Sequence, residues 1–165
     1  MTNKAKKKIV VAVSGGFDPI HVGHVRMFAE AKKLGDELVV ILNNDNWLHK
    51  KKKHVFMKEA ERKEIIEALK PVDRVVLTKH PKNPETPHAM SVSRELREIK
   101  PDIFANGGDR DEKNASDPNS SLYADIQTCR ECGIKMIFNI GDGGKVQSSS
   151  WLLKKYVEKV SEKEK

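Results

Sequence analysis

Five short runs of mainly apolar residues recur along the chain, each followed by a polar loop and a segment with helical spacing of apolar residues. Apolar runs of this length are typical of buried strands, whereas apolar positions three or four residues apart are typical of helices. The pattern therefore predicts five strand–helix units. The predicted strands are residues 9–13, 38–42, 74–77, 102–105 and 135–140.

The helical segments are supported by their spacing and by the residues that end them. Val92, Leu96 and Ile99 stand at positions i, i+4 and i+7, which places them on one helical face. Gly35 and Gly133 stand where C-terminal helix caps belong. Apolar strands that alternate with helices indicate a parallel sheet buried on both faces. The expected fold is α/β, a Rossmann-like, doubly wound, five-stranded parallel sheet in a three-layer sandwich.

The length of 165 residues fits one domain. We expect a single domain over residues 9–160, with a basic tail at 1–8 and a charged tail at 161–165. The longest apolar runs have only strand length, so no membrane span is expected. Cys129 and Cys132 are too few for a disulfide framework, which favours the cytoplasm. Cys129 falls on a predicted core face and is interpreted as structural.

The formal net charge is +7, but the excess lies in two lysine clusters. Four lysines stand in the N-terminal tail and four at positions 50–53, and without these eight charges the net charge is −1. A nucleic-acid-binding surface usually spreads basic residues over a face and interleaves aromatic residues, which make up only 5% here. We therefore expect a local anion site and no nucleic-acid partner.

Ligands of doubly wound sheets bind at the carboxyl ends of the strands, near the point where the strand order reverses. The loops at that edge are residues 14–21, 43–56, 78–88, 106–119 and 141–148, and they contain most of the chain's unusual residues. The loop 106–119 is long for a connection between a strand and a helix, which favours a role in covering a ligand.

Two glycines and two histidines follow the first predicted strand. Gly15 and Gly16 permit a sharp turn and a close approach of the backbone to a ligand. His21 and His24 stand three positions apart at the start of the next helix, so their imidazoles face the same way. A helix N-terminus attracts phosphate, and the histidines can donate hydrogen bonds to its oxygens, while Gly23 leaves room between them. The pattern favours in-line phosphoryl or nucleotidyl transfer.

At these residues the chain resembles the HxGH nucleotidyltransferases, which include cytidylyltransferases and adenylyltransferases of small phosphorylated compounds. The resemblance implies that a nucleoside monophosphate passes from an NTP to a phosphomonoester and that pyrophosphate is released. It also implies Mg²⁺ as cofactor, bound mainly through the triphosphate and not by a cluster of side chains. The other matching segments are residues 34–40, 61–63, 72–75, 101–103, 107–109 and 148–150.

The resemblance further implies roles for individual residues. His21 and His24 are expected to stabilise the α-phosphorus, one of lysines 50–53 to meet the phosphates, and Arg62 to contact the phosphorylated substrate or the triphosphate. Lys53 and Arg62 are therefore counted as catalytic with the histidines. The expected nucleotide-binding residues are Gly16, Phe17, Asp18, His21, His24, Lys50, Asn106, Gly108, Asp109, Ser148, Ser149 and Ser150.

The resemblance leaves alternatives for the substrates. The chain's length, Arg62 and the segment 72–74 favour CTP, with glycerol 3-phosphate or another polyol or alcohol phosphate as acceptor. The alternative is an adenylyltransferase that uses ATP and a sugar phosphate or a cofactor precursor. An alternative of another class is a non-catalytic module that binds nucleotides or RNA, although it would not need the intact histidines and serines. Members of the family often dimerise, so a homodimer is expected.

Several of these residues also have purely structural interpretations. Arg62 can pair with Glu59 on a helix surface, the serines at 148–150 can cap a helix, and the four-lysine run can be a solvated loop. Trp47 and Trp151 can stack on a base or lie partly in the core. The histidines at positions 49, 54, 80 and 88 are interpreted as solvent-exposed.

Overall fold

Strands and helices alternate along the chain, and the computed structural model describes them at residues 7–107, 116–141 and 147–163. The strands are β1 (Val10–Gly15), β2 (Glu37–Leu42), β3 (Arg74–Leu77), β4 (Ile103–Gly107) and β5 (Lys135–Ile140). The helices are α1 (Val22–Lys32), α2 (Asp45–Lys52), α3 (Glu59–Glu67), α4 (Ser93–Ile99), α5 (Ser121–Cys132) and α6 (Ser149–Lys163), with a 3₁₀ turn at Pro87–Met90.

The five strands form one parallel sheet in the order β3-β2-β1-β4-β5. All five predicted strands are confirmed, and no strand end shifts by more than two residues. Strand β1 continues through Ser14 and Gly15 because these residues pair with Ile41 and Leu42 of β2. The predicted α/β fold with a doubly wound parallel sheet is therefore confirmed.

Helices cover both faces of the sheet and divide the core into two layers. On one face, Phe28 of α1 and Ile66 of α3 pack against strand residues that include Val11 and Val13. On the other face, Leu96 of α4 and Cys129 of α5 pack against residues that include Phe104. Alternate residues of β1 enter opposite layers, as the period of two along a strand requires. The resulting three-layer sandwich fixes the carboxyl edge of the sheet as a rigid platform.

Helix α2 lies inside the region 43–56, which the sequence predicts to be a loop. Asn44 begins the helix because its side-chain oxygen accepts the N–H of Trp47 at 3.1 Å. Leu48 is the buried residue of this helix, so it lacks the repeating apolar face by which helices are predicted. The loop prediction is wrong here because one cap and one buried leucine leave too weak a periodic signal.

Two local predictions about helix α5 are confirmed. Gly133 caps α5 in the left-handed conformation, with φ of 69°. Cys129 is 1% exposed, and burial raises the pKa of its thiol to about 12, which suits a packing residue and not a nucleophile. Among the helices of the described residues, none combines the length and the apolar character that a membrane crossing requires.

Candidate active site

A cavity of about 420 Å³ opens at the carboxyl edge of the sheet, where β1 and β4 lie side by side. The chain leaves β1 towards β2 and leaves β4 towards β5, so the loops depart in opposite directions and leave a crevice. Its walls come from the ends of β1, β4 and β5, from α2, and from the starts of α1 and α6. Of the expected site residues, it contains Gly16, Phe17, His21, His24, Asn106, Ser148, Ser149 and Ser150.

His21 and His24 stack at the start of α1, with ring centroids 3.6 Å apart and planes inclined by 24°. His21 is the N-cap, and its Nδ1 accepts the backbone N–H of Gly23 at 3.1 Å. The Nδ1 atom of His24 accepts the backbone N–H of His21 at 3.3 Å. Since each Nδ1 is an acceptor, each neutral ring carries its proton on Nε2. The prediction that both imidazoles face the same way is confirmed.

The electrostatic environment keeps both rings neutral at neutral pH. Burial lowers the pKa of His24 to about 3, and the neighbouring His21 and Lys52 act in the same direction. Burial also lowers the pKa of His21, again with a contribution from Lys52. Each ring is therefore a neutral hydrogen-bond donor through Nε2 before a phosphate binds. A bound phosphate would reverse part of this effect, because negative charge favours the imidazolium.

Phe17 lines the cavity, so its expected contact with the nucleotide stays a prediction, and its ring also supports the histidines. Its side chain is 4% exposed and meets the rings of His24 and Phe28 edge to face, at centroid distances of 4.9 and 5.1 Å. The backbone of Phe17 adopts a left-handed φ of 50°. A larger residue at Gly15 would displace the Phe17 ring, because a Cβ atom there would lie 2.8 Å from that ring. The ring thus fixes the position of His24.

Asp18 also differs from its expected role in nucleotide binding. It is 1% exposed, and its two carboxylate oxygens accept the backbone N–H groups of Phe56 and Met57, each at 2.7 Å. The carboxylate therefore ties the segment after α2 to the loop that carries the histidines. The correction has a physical reason, since a carboxylate with both oxygens bound to backbone amides is directed into the protein.

Arg62 lies beneath the site and not at its surface, which corrects the expected substrate contact. Its side chain is fully buried, and the guanidinium donates to the carbonyl oxygens of Gly16, Asn43 and Met57 at 2.6, 2.8 and 2.9 Å. It also donates to Asp45 Oδ1 at 2.7 Å. These bonds join the turn after β1, the residue after β2, the first residue of α2 and the segment before α3. The surface pair with Glu59 is absent from these contacts, and Glu59 instead accepts the backbone N–H of Asp45.

Of the lysines at positions 50–53, Lys52, the last residue of α2, lines the cavity. Lys50 and Lys53, which the sequence analysis places at the phosphates, are exposed and lie outside the cavity wall. Lys53 is the C-cap of α2 in a left-handed conformation, with φ of 66°, so the chain turns away at this point. Successive helix residues are about 100° apart around the axis, which is why only part of a lysine run can face one site.

The N-terminus of α6 forms the opposite side of the cavity. Ser148, Ser149 and Ser150 line it, and Ser149 Oγ donates to the carbonyl oxygen of Pro19 at 2.8 Å. This bond attaches α6 to the histidine loop. Asn106 at the end of β4 is buried and also lines the cavity. Gly108 and Asp109, two further expected nucleotide contacts, lie outside the described residues.

The cavity wall also contains residues that the sequence analysis does not assign to the nucleotide. They include Arg26, Met27, Ile140 and Gln147, while Trp47, interpreted as able to stack on a base, and Lys52 of the lysine run also line the cavity. Met27 stands one helical turn after His24, so the same spacing that aligned the two histidines could have found it. Gly107 packs tightly against Met27, because a Cβ atom on Gly107 would lie 2.6 Å from the Met27 sulfur.

His80 is buried beside the site, although the sequence analysis interprets it as exposed. It is 5% exposed, with Nε2 3.1 Å from Asn43 Oδ1 and Nδ1 3.1 Å from the carbonyl oxygen of Ala89. Its own carbonyl oxygen accepts the side-chain N–H groups of Asn44 and Asn46, each at 3.0 Å. Side chains far apart in the sequence bury His80, so local polarity gave the wrong prediction. His49, His54 and His88 are exposed as expected.

Residues 12–131 match the model of a family described as cytidylyltransferase-like. The matched range runs from β1 to α5 and includes both histidines, Arg62 and the lysine run. The chain belongs to the cytidylyltransferase-like family. This membership confirms the resemblance read from the histidine motif, and the chain is a nucleotidyltransferase.

Two similar members of this family are called FAD synthase. The protein from Aciduliprofundum boonei is 36% identical over 128 residues, which cover 76% of this chain and 73% of that protein. The protein from Ferroglobus placidus is 41% identical over 104 residues, which cover 63% of this chain and 60% of that protein. The chain thus spans about three fifths to three quarters of the length of these relatives.

Solved structures support the same fold. A lipopolysaccharide core biosynthesis protein from Thermoplasma volcanium superposes with a TM-score of 0.62 and 30% identity, over 82% of this chain and 98% of that one. A pantoate-beta-alanine ligase from Francisella tularensis gives a TM-score of 0.54 at 14% identity, over 82% and 60% of the two chains. The second likeness concerns the fold alone.

The part of this nucleotidyltransferase that the structure describes has no group of three or more histidine, cysteine, aspartate or glutamate residues placed to hold a metal ion. Among the described residues near the cavity, Asp18 and Asp45 have protein partners. Mg²⁺, with its preference for phosphate oxygens and water, stays a prediction.

Proposed function

We propose that the protein transfers AMP from ATP to the phosphate of FMN and releases pyrophosphate, which yields FAD. Support comes from the relatives called FAD synthase, since joining AMP to FMN is the direct way to form FAD. The observation on the structure that carries the chemistry is the pair of neutral histidines whose Nε2–H groups are available as donors.

The proposal replaces CTP by ATP because of the relatives called FAD synthase, and the positions of two sequence features remove the reasons for favouring CTP. Arg62, one reason for favouring CTP, is buried beneath the histidine loop and has no place beside a base. The segment 72–74, another reason, belongs to the amino end of the sheet, where Asp73 accepts the backbone N–H of Leu38 at 2.6 Å. Both features preserve the fold and do not discriminate between the two bases.

In the proposed reaction, a phosphate oxygen of FMN attacks the α-phosphorus of ATP. A bond forms between these two atoms, the bond from the α-phosphorus to the bridging oxygen breaks, and its electron pair leaves with pyrophosphate. Negative charge accumulates on the non-bridging oxygens during this exchange. His21 and His24 donate their Nε2–H groups to these oxygens, and the backbone bonds at Nδ1 hold both rings in position. The reaction requires no nucleophilic side chain.

Charge and helix ends on both sides of the histidines support binding of two phosphorylated substrates. Lys52 supplies an ammonium group on the α2 side, and the start of α6 supplies backbone N–H groups and hydroxyl groups on the other. Bound Mg²⁺ would add charge neutralisation on the triphosphate. With the positions of Lys50 and Lys53 now known, Lys52 becomes the proposed phosphate lysine.

The test is a pyrophosphate-release assay with ATP, CTP, GTP and UTP against FMN, riboflavin and glycerol 3-phosphate, with and without Mg²⁺. We expect FAD from ATP and FMN only in the presence of Mg²⁺, and no product from riboflavin, which lacks the attacking phosphate. His24→Ala should lower kcat by about 10²–10³, the range for loss of one transition-state donor. Activity with CTP and glycerol 3-phosphate but none with ATP and FMN would overturn the proposal.

The homodimer expected from the family resemblance stays a prediction. Light scattering on the full chain measures the mass in solution directly, and the subunit mass of 18.6 kDa separates monomer from dimer clearly.

A further inference from the structure

Trp47 is an aromatic side chain in the wall of the active-site cavity that the chemistry described above does not use. Helix α2 carries both Trp47 and Lys52 to this wall. The indole Nε1–H donates to the carbonyl oxygen of Met90 at 3.1 Å, so the orientation of the ring is fixed by the protein. The polar atom of this tryptophan is therefore engaged, and the part left for a ligand is apolar.

The ring also lies close to the loop that carries the histidines. A Cβ atom on Gly16 would come within 3.2 Å of the Trp47 Cζ3 atom, and within 2.8 Å of Leu48. Glycine at this position thus lets the six-membered edge of the indole reach the floor of the cavity. The Gly16 backbone is itself held from below by Arg62, which donates to its carbonyl oxygen at 2.6 Å. Trp47 is consequently a rigid wall and not a mobile surface residue.

The order of the strands separates the two sides of the cavity. Helix α2 follows β2 on one side of β1, whereas α6 follows β5 on the other side, beyond β4. The α6 side has the serines at a helix N-terminus and the backbone of Gly107 and Gly141, which suits a triphosphate and its nucleoside. The α2 side presents the ammonium group of Lys52 and the indole ring of Trp47, a combination that suits a phosphate attached to a planar ring.

We propose that Trp47 is a specificity-determining residue for the acceptor, whose planar ring system stacks on the indole while Lys52 meets its phosphate. The inference rests on the proposed function, under which this ring system is the isoalloxazine of FMN. Stacking of a planar ring on an aromatic side chain is worth about 1–3 kcal/mol, which corresponds to about 5- to 150-fold in affinity. An acceptor without an aromatic ring gains nothing from Trp47.

The first experiment compares Trp47→Leu and Trp47→Phe with Trp151→Phe, which changes the other tryptophan, a half-exposed residue on α6. Trp47→Leu should raise KM for FMN about 5- to 150-fold and leave KM for ATP within about twofold. Trp47→Phe should restore most of the affinity because it keeps an aromatic ring. Trp151→Phe should match the wild type. An unchanged KM for FMN in Trp47→Leu would overturn the proposal.

A fluorescence measurement keeps the test decisive even if Trp47→Leu does not fold. The chain has two tryptophans, so Trp151→Phe leaves Trp47 as its only one. We expect FMN to quench the emission of Trp47 and to lose its own emission on binding, as stacked rings do. ATP should leave the emission of Trp47 unchanged. FMN bound without quenching would overturn the role of Trp47. If the wild type forms no FAD, the proposed function fails instead, so the two failures are distinguishable.

Discussion

Replacing Arg62 with methionine distinguishes a guanidinium that holds the active site together from one that acts on the substrate. Methionine keeps much of the apolar stem but removes every donor. The carbonyl oxygens of Gly16, Asn43 and Met57 then lose a hydrogen bond each, and Asp45 loses its ion pair. The histidine loop thereby loses these links to β2, α2 and the segment before α3, and its remaining link to that segment is the Asp18 carboxylate.

The magnitude follows from the burial of the contacts. A buried acceptor without its donor costs about 1–3 kcal/mol, and removal of one partner from a buried ion pair costs about 3–5 kcal/mol. Asp45 keeps 28% of its side chain exposed and can be hydrated again, which reduces its share of the loss. Three such carbonyl oxygens amount to about 3–9 kcal/mol, and relaxation around the smaller methionine keeps the expected fall in the free energy of unfolding near the lower end, about 3–5 kcal/mol. For a chain of this size the melting temperature would fall by about 6–20 °C.

Urea unfolding followed by circular dichroism gives the free energy, and FAD formation at a temperature where the variant stays folded gives kcat and KM. Lys63→Met is the matched control, since Lys63 neighbours Arg62 on α3 but forms an ion pair with Glu67 at the surface. Its loss should stay below about 1 kcal/mol. Arg62→Met with wild-type stability and a hundredfold loss of kcat/KM would refute the structural role and restore the direct contact with substrate.

Three further predictions concern the cavity itself. Because the pKa of His24 is lowered to about 3, the unfolded chain binds a proton between pH 7 and 4 that the native site does not. On lowering the pH from 7 to 4, the free energy of unfolding of the wild type should therefore fall by about 1–3 kcal/mol more than that of His24→Asn. Equal losses in urea titrations of the two proteins would contradict the neutral ring. Lys52→Met should lower kcat/KM for FMN adenylylation at least tenfold and Lys50→Met less than twofold, so equal effects would contradict the assignment of Lys52. Gly16→Ala should lower the free energy of unfolding by about 1–3 kcal/mol, because the methyl group of the new alanine would lie 2.8 Å from Leu48. A melting temperature equal to that of the wild type would contradict this packing.

Local sequence determined the strands, most of the helices and the facing of the histidines. Near-continuous apolar runs predict buried strands, because the pattern that indicates burial lies within the residues of each strand. His21 and His24 face the same way because helical spacing depends on residues three positions apart. Gly133 ends its helix for a reason that is equally local, the left-handed conformation of one residue. The family and the type of chemistry follow from such short-range patterns.

The tertiary structure alone decided which charged side chains enter the cavity and which support it. Arg62 and Asp18 bind backbone groups that are distant in the sequence, and His80 is buried by α2 and the 3₁₀ turn. Lys52 differs from Lys53 only in where α2 ends and how its end is packed. Charged residues in loops follow no periodic pattern in the sequence. Whether such a side chain points into the cavity or into the protein depends on which partner group is close enough to compensate for its lost hydration. The sequence by itself therefore determined the sheet and the histidine pair, while long-range contacts decided the walls around them.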